Sequence, residues 1–189
     1  MIIPEEVTFE EAIALTKSLI DKISRDEISL PEVSEAVSSL VNTQNGARGF
    51  FVTYLTSEGT LADNPSPEII EALASSPEIV AELLVKNLAM SAAMAVAHLR
   101  NHNQQMARES QRVKLRTLRL IEKIDMPQLL DMAAQLRESA LTWEGSYKLF
   151  LQRWQYDAEQ REAICQAIDR MLPSTTTNET EGAKEAGED

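Results

Sequence analysis

The chain has 189 residues, of which 43% are hydrophobic and 25% charged, and its net charge is −12. This composition is typical of a soluble globular protein with one core, and the acidic balance disfavours a protein that coats nucleic acid. The single cysteine excludes an internal disulfide, and neither a signal peptide nor a membrane-spanning run is recognisable, so we expect a cytoplasmic protein without membrane contact.

Two helices are predicted at the N-terminus. The segment from Thr8 to Glu11 has the spacing of a capping box, in which a threonine and a glutamate satisfy each other's backbone N–H groups. Ser29 followed by Pro31 indicates the start of a second helix, because proline favours the first turn.

The segment that follows gives mixed signals. Residues 45–49 (NGARG) read as a turn, and residues 50–55 (FFVTYL) have the composition of a strand. No second strand is evident nearby to accept its hydrogen bonds. A short helix after Asn45-Gly46 and an extended segment under the core therefore both remain open.

The motif Ser-Pro-Glu-Ile occurs twice, at Ser66 and at Ser76, and each copy predicts the start of a helix. The first helix is expected to be short, spanning residues 67–74. After the second copy no glycine or proline occurs until Pro127. This run could form one helix about 70 Å long, at about 1.5 Å per residue, or two helices with a bend near residues 101–105.

Three more helices are expected after this run. They are predicted from Pro127 to about Leu141, from Thr142 to about Gln155, and from a capping box at Asp157 and Gln160 to near Leu172. Residues 1–173 would form a single all-α domain, a helical bundle or orthogonal array around a long central helix. Residues 174–189 are polar and acidic, and we expect a disordered tail there.

One basic stripe runs along the second half of the long helical run. Its members recur every three or four residues and so share one helical face: Arg108, Arg112, Arg116, Arg119 and Lys123. They could pair with acidic helices or the tail of the same chain, dock an acidic protein partner or a second subunit, or lie on phosphates. The net charge of −12 and the lack of a nucleic-acid-binding motif disfavour phosphates.

A second candidate surface is aromatic. Trp143, Tyr147, Phe150 and Trp154 recur at helical spacing in the predicted helix 142–155. Such a stripe is typical of an anchor that pins helices to a core. Any exposed part of it, with Trp143, Tyr147 and Trp154 as the candidates, would be a binding hot spot for another protein.

Catalytic and metal sites have little support. His98 and His102 are the only histidines and would share a helical face, but no third ligand accompanies them in sequence. They are weak candidates, and we predict no metal and no cofactor. Cys165 has no neighbouring histidine that would activate a thiol, and we expect it to be buried.

Two segments carry a family resemblance: GARGFFVTYLTSEGTLADNPSPEIIEAL and LLVKNLAMSAAMAVAHLRN. Together they resemble uncharacterised helical proteins of cyanobacteria over about a third of the chain. The resemblance implies a bacterial cytoplasmic setting and no particular activity.

The residues favour a small helical regulatory or adaptor protein that acts by protein–protein contact through its basic helix face. The alternative is a nucleic-acid-associated protein that uses the same stripe. An enzyme is the least favoured class, because no catalytic constellation is evident.

Overall fold

All regular structure in residues 3–4 and 6–172, the part of the chain described by a computed structural model, is helical. These residues form nine α-helices and one short 3-10 turn at Leu61–Asp63. The helices are α1 (Phe9–Ser24), α2 (Leu30–Val41), α3 (Gln44–Thr56), α4 (Pro67–Ala74), α5 (Pro77–Arg100), α6 (Gln104–Lys123), α7 (Pro127–Thr142), α8 (Lys148–Trp154) and α9 (Ala158–Asp169). The prediction of an all-α fold is confirmed. The predicted tail, 174–189, lies outside the described residues.

The prediction of a possible extended segment at residues 50–55 is wrong, since these residues belong to α3. The turn expected at residues 45–49 is also wrong, because α3 begins there, with the Thr43 hydroxyl accepting the Gly46 N–H. The glycines serve close packing. A Cβ at Gly49 would lie 2.5 Å from the Cβ of Ala12 on α1, so only glycine lets the two helices approach this closely.

Several helix starts follow their sequence signals. Thr8 and Asp157 form the predicted capping boxes of α1 and α9. Proline occupies the first turn of α2, α4 and α5, and α4 spans the eight residues expected from the first Ser-Pro motif. Local capping chemistry therefore sets these boundaries.

Helix α5 lies at the centre of the fold and packs against α3, α4, α6, α7 and α9. The prediction of a single helix about 70 Å long after the second Ser-Pro motif is wrong. The alternative, two helices with a bend near residues 101–105, is confirmed. The chain leaves α5 at Arg100, adopts a left-handed conformation at His102 (φ 55°), and begins α6 where the Asn103 side chain accepts the Met106 N–H. Because this connection is short and the two helices pack extensively, α5 and α6 form a hairpin.

The predicted helix from Thr142 to Gln155 is wrong in its first half. Thr142 is the last residue of α7, and the chain turns through Trp143 (φ 61°) and Gly145 (φ 92°) before α8 begins. The buried Ser139 hydroxyl accepts the Tyr147 N–H at 3.2 Å and so holds this turn against α7. Glycine at position 145 was the sequence signal for the break.

Helix α5 is also long and apolar enough to cross a membrane by length and composition alone, with a mean hydropathy of 1.6 over its most apolar window. More than half of that window is buried by other helices of the chain. A core helix of a bundle meets the same criteria.

Candidate functional site

The predicted basic stripe lies on α6, and the structure divides it. The buried side of this helix carries Thr117, Leu120 and Ile121, which pack into the core. The opposite side faces solvent, so a side chain's position around the helix decides whether it belongs to the scaffold or to the surface.

Arg116 belongs to the scaffold. Its side chain is only 1% exposed, and all five of its N–H donors have acceptors. Nε donates to Oδ1 of Asp63 at 2.9 Å, and Nη2 donates to Oδ2 of the same carboxylate at 3.2 Å. The remaining donors reach the backbone carbonyls of Leu55, in the last turn of α3, and of Ser57 and Gly59, just after that helix, at 2.7–3.0 Å.

The segment 57–63 is therefore fastened to α6 by one guanidinium. Tyr54 adds a second attachment, because its hydroxyl donates to the Leu61 carbonyl at 3.2 Å. Burial raises the pKa of the Tyr54 phenol, which keeps it a neutral donor. Internal pairing, one of the three explanations for the stripe, holds for Arg116, which has no donor left for a partner.

Asp63 carries the charge that balances this arginine. The hydrogen bond from Arg116 lowers the pKa of the Asp63 carboxyl, and the positive charges of Arg116, Arg119 and Arg112 lower it further. Arg119 contacts the same carboxylate at 3.3 Å from an exposed position. One carboxylate thus connects the buried and exposed parts of the stripe.

The rest of the stripe faces solvent to different degrees. Arg108 and Lys123 are exposed and make no ion pair with any described residue, and Lys123 lies in the last turn of α6. Arg112 is half-buried, donates one hydrogen bond of 3.4 Å to the Thr56 carbonyl, and leaves its Nε–H without a partner among the described residues.

Three arginines of the stripe surround an exposed leucine. Arg108, Arg112 and Arg119 line a shallow groove of about 520 Å³ together with Gln111, Leu115 and Asp63. Leu115 is 46% exposed, and the other residues that line this groove are polar or charged. We call this surface, with Arg108, Arg112, Leu115 and Arg119 as its members, the α6 face.

The aromatic residues do not form one helical stripe. Trp143 is the left-handed cap that ends α7, and the Arg161 guanidinium lies 4.4 Å from its ring centre. Tyr147 is buried at the N-cap of α8, whereas Trp154, at the last position of α8, is 48% exposed. Of the three predicted binding aromatics, Trp154 alone presents a large exposed surface.

Sequence reasoning missed an open groove of about 970 Å³, which we call the α3–α8 groove. Faces of three helices line most of it: Arg48, Phe51, Val52 and Leu55 of α3, Leu83, Lys86 and Met90 of α5, and Leu149, Phe150, Arg153 and Trp154 of α8. The spacing of three and four residues in FFVTYL signalled the α3 contribution, but only once that segment is taken as a helix.

The two histidines do not share a helical face, because His102 lies beyond the end of α5 in the left-handed turn. Within residues 3–4 and 6–172 no group of three or more His, Cys, Asp or Glu side chains is arranged to hold a metal ion. Cys165 is buried as expected, and burial raises the pKa of its thiol, so the reactive thiolate is disfavoured.

Comparison with known proteins gives one family. The model of the family described as Uncharacterised conserved protein UCP020893 matches residues 8–171, which include every helix described above. The chain belongs to this family. Searches of the curated proteins and of the solved structures gave no match.

Proposed function

We propose that this protein is a small helical adaptor that binds an acidic partner protein through the α6 face. The observation that supports this most is an exposed leucine enclosed by arginines in a protein of net charge −12. Arginine is among the residue types enriched at protein-binding hot spots. A cationic surface on an acidic protein also directs an acidic partner to one place. The positive charges attract the partner there, whereas the negative charges elsewhere on the protein repel it.

The alternative, a nucleic-acid-associated protein, receives less support from the same residues. Arg116 is occupied by the 57–63 segment, so at most four of the five cations can reach phosphates. If the stripe bound phosphates, the exposed Leu115 would face the polar sugar-phosphate backbone and would gain no apolar contact there. On the resemblance to cyanobacterial helical proteins, we propose a bacterial cytoplasmic setting for this adaptor.

Site-specific photocrosslinking in the cells of origin tests the proposal. A photoreactive amino acid replaces Leu115, and in a matched control it replaces Leu130, which is similarly exposed (42%) on α7. We expect irradiation to join one acidic protein to position 115 but not to position 130. Equal products at both positions, a crosslink to nucleic acid, or a crosslink only between two copies of this chain would each contradict the proposal.

A further inference from the structure

A second surface, unrelated to the α6 face in chemistry, lies in the α3–α8 groove. Three of its apolar residues are left largely uncovered: Leu149 (78% exposed), Trp154 (48%) and Val52 (44%). Leaving side chains of this size in water forfeits the free energy that their burial would contribute. A cluster of this kind is typical of a surface that another molecule covers.

The spacing of the lining residues indicates the shape of the occupant. Leu83, Lys86 and Met90 share one face of α5, since they recur at three and four residues. Arg48, Val52 and Leu55 do the same on α3, and α8 presents Leu149, Phe150, Arg153 and Trp154. Such helix faces are the surfaces that pack against another helix, ridge into groove.

The charges beside the groove indicate the chemistry of the occupant. Three cations line it, Arg48, Lys86 and Arg153, against the single carboxylate Glu82, which is already paired with Lys86. Arg48 and Arg153 are exposed and have no ion pair among the described residues, and Arg48 lies over the Phe9 ring. The groove is therefore lined by apolar residues together with two arginines, Arg48 and Arg153, that have no ion pair among the described residues.

We propose that the α3–α8 groove binds an amphipathic helix of a partner protein. Its apolar residues recur every three or four positions, and Asp or Glu flanks the apolar face on the sides that meet Arg48 and Arg153. Helices of this kind bind apolar grooves through anchors at i, i+3, i+4 and i+7. Met90 and Met132, which also line the groove, can adapt their flexible side chains to different anchors.

Selection from displayed peptides tests this proposal without a known partner. The probe is a library of peptides of about four helical turns with an apolar residue at each position of one face and every residue type elsewhere. The target is the full-length protein. We expect the enriched peptides to carry Asp or Glu beside the apolar face, and to bind the variant Leu149→Glu at least about tenfold more weakly than the wild type.

The controls separate the groove from other surfaces. Leu149 is mostly exposed, so Leu149→Glu should fold, and Leu141→Glu places the same charge at an exposed leucine outside the groove and should bind the peptides as the wild type does. With fluorinated tryptophan, peptide binding should shift the NMR signal of Trp154 and leave that of Trp143, which is covered by Arg161, unchanged. An Arg108→Glu, Arg119→Glu variant should keep peptide binding, which makes this result independent of the α6 face.

Three results would overturn the proposal. The first is a selection without enriched peptides, or with peptides that bind wild type and Leu149→Glu equally. The second is enrichment of Lys or Arg rather than Asp or Glu beside the apolar face. The third is a shift of the Trp154 signal by dodecanoate but by no peptide, which would assign the groove to an acyl chain.

Discussion

Arg116 and Arg119 lie about one helical turn apart on α6 and contact the same carboxylate, yet their surroundings differ in almost every respect. Arg116 is 1% exposed, and its five donors hold Asp63 and three backbone carbonyls. Arg119 is 45% exposed and makes a single contact of 3.3 Å. Two arginines of one basic stripe therefore differ in role: Arg116 is part of the folded scaffold, whereas Arg119 is a charge on the surface.

The difference comes from what the rest of the chain places over each position. The segment 57–63 lies against Arg116 and brings the Ser57 and Gly59 carbonyls and the Asp63 carboxylate to its guanidinium. A buried guanidinium is tolerated there only because every donor is satisfied. At Arg119 water can replace the protein contact, so the ion pair contributes little.

Replacement of Arg116 by alanine should destabilise the protein most. The change leaves Asp63 without its principal partner, and it leaves the carbonyls of Leu55, Ser57 and Gly59 without their donor in a partly buried site. We expect a loss of about 3–5 kcal/mol in the free energy of unfolding. Urea denaturation followed by circular dichroism measures this loss. A loss below about 1 kcal/mol would show that the Arg116 contacts contribute little to the stability of the fold.

Arg116→Lys should give an intermediate loss of roughly 1–3 kcal/mol, measured in the same way. Lysine keeps the positive charge but has three donors on one nitrogen, which cannot reach both oxygens of Asp63 and three carbonyls together. If Arg116→Lys unfolds like the wild type, the charge alone explains the contact and the planar geometry of arginine plays no part.

Acid should weaken the same contact. The pKa of Asp63 is lower in the folded protein than its usual 3.8, mainly because Arg116 donates a hydrogen bond to it. A lowered pKa contributes stability above the unfolded-state value, and this contribution is lost as the pH falls below it through the folded-state pKa.

The stability advantage of the wild type over Asp63→Asn should therefore shrink as the pH falls below about 4. Denaturant titrations across this pH range measure it. Asp131→Asn, which alters an exposed carboxylate on α7, is the matched control and should show no comparable trend. An advantage over Asp63→Asn that stays constant down to pH 2 would refute a charged Asp63–Arg116 pair.

Arg119→Ala and Arg108→Ala should change stability least, by about 0–1 kcal/mol. Both side chains are exposed, and Arg108 has no ion pair among the described residues. Thermal unfolding of the two variants beside the wild type checks this. A loss close to that of Arg116→Ala would show that the exposed half of the stripe also belongs to the scaffold.

The sequence predicted the elements whose signals are local. Capping residues at Thr8 and Asp157 and the prolines of α4 and α5 placed the helix starts, because a cap acts within one turn. The break between α5 and α6 was left open between one helix and two, because no glycine or proline occurs from residue 78 to residue 126.

Features that depend on distant parts of the chain were not predictable in this way. Asp63 and Arg116 are 53 residues apart, and nothing in either neighbourhood shows that one covers the other. The α3–α8 groove is built from three helices, so no single segment reveals it. Residues 50–55 were left open between strand and helix because aromatic and β-branched residues favour strands locally, whereas burial against α1 and α5 decides their structure here.

We propose that the exposed arginines of the α6 face bind an acidic partner, whereas Arg116 holds residues 57–63 against α6. The most direct measurement is the crosslinking yield at position 115 in two charge-reversed backgrounds. Arg108→Glu with Arg119→Glu changes the α6 face, and Lys17→Glu with Arg25→Glu makes the same change in net charge at exposed positions of α1 and its cap. We predict that the first pair abolishes the crosslink and the second retains it, with both proteins folded; equal yields in the two backgrounds would contradict the claim.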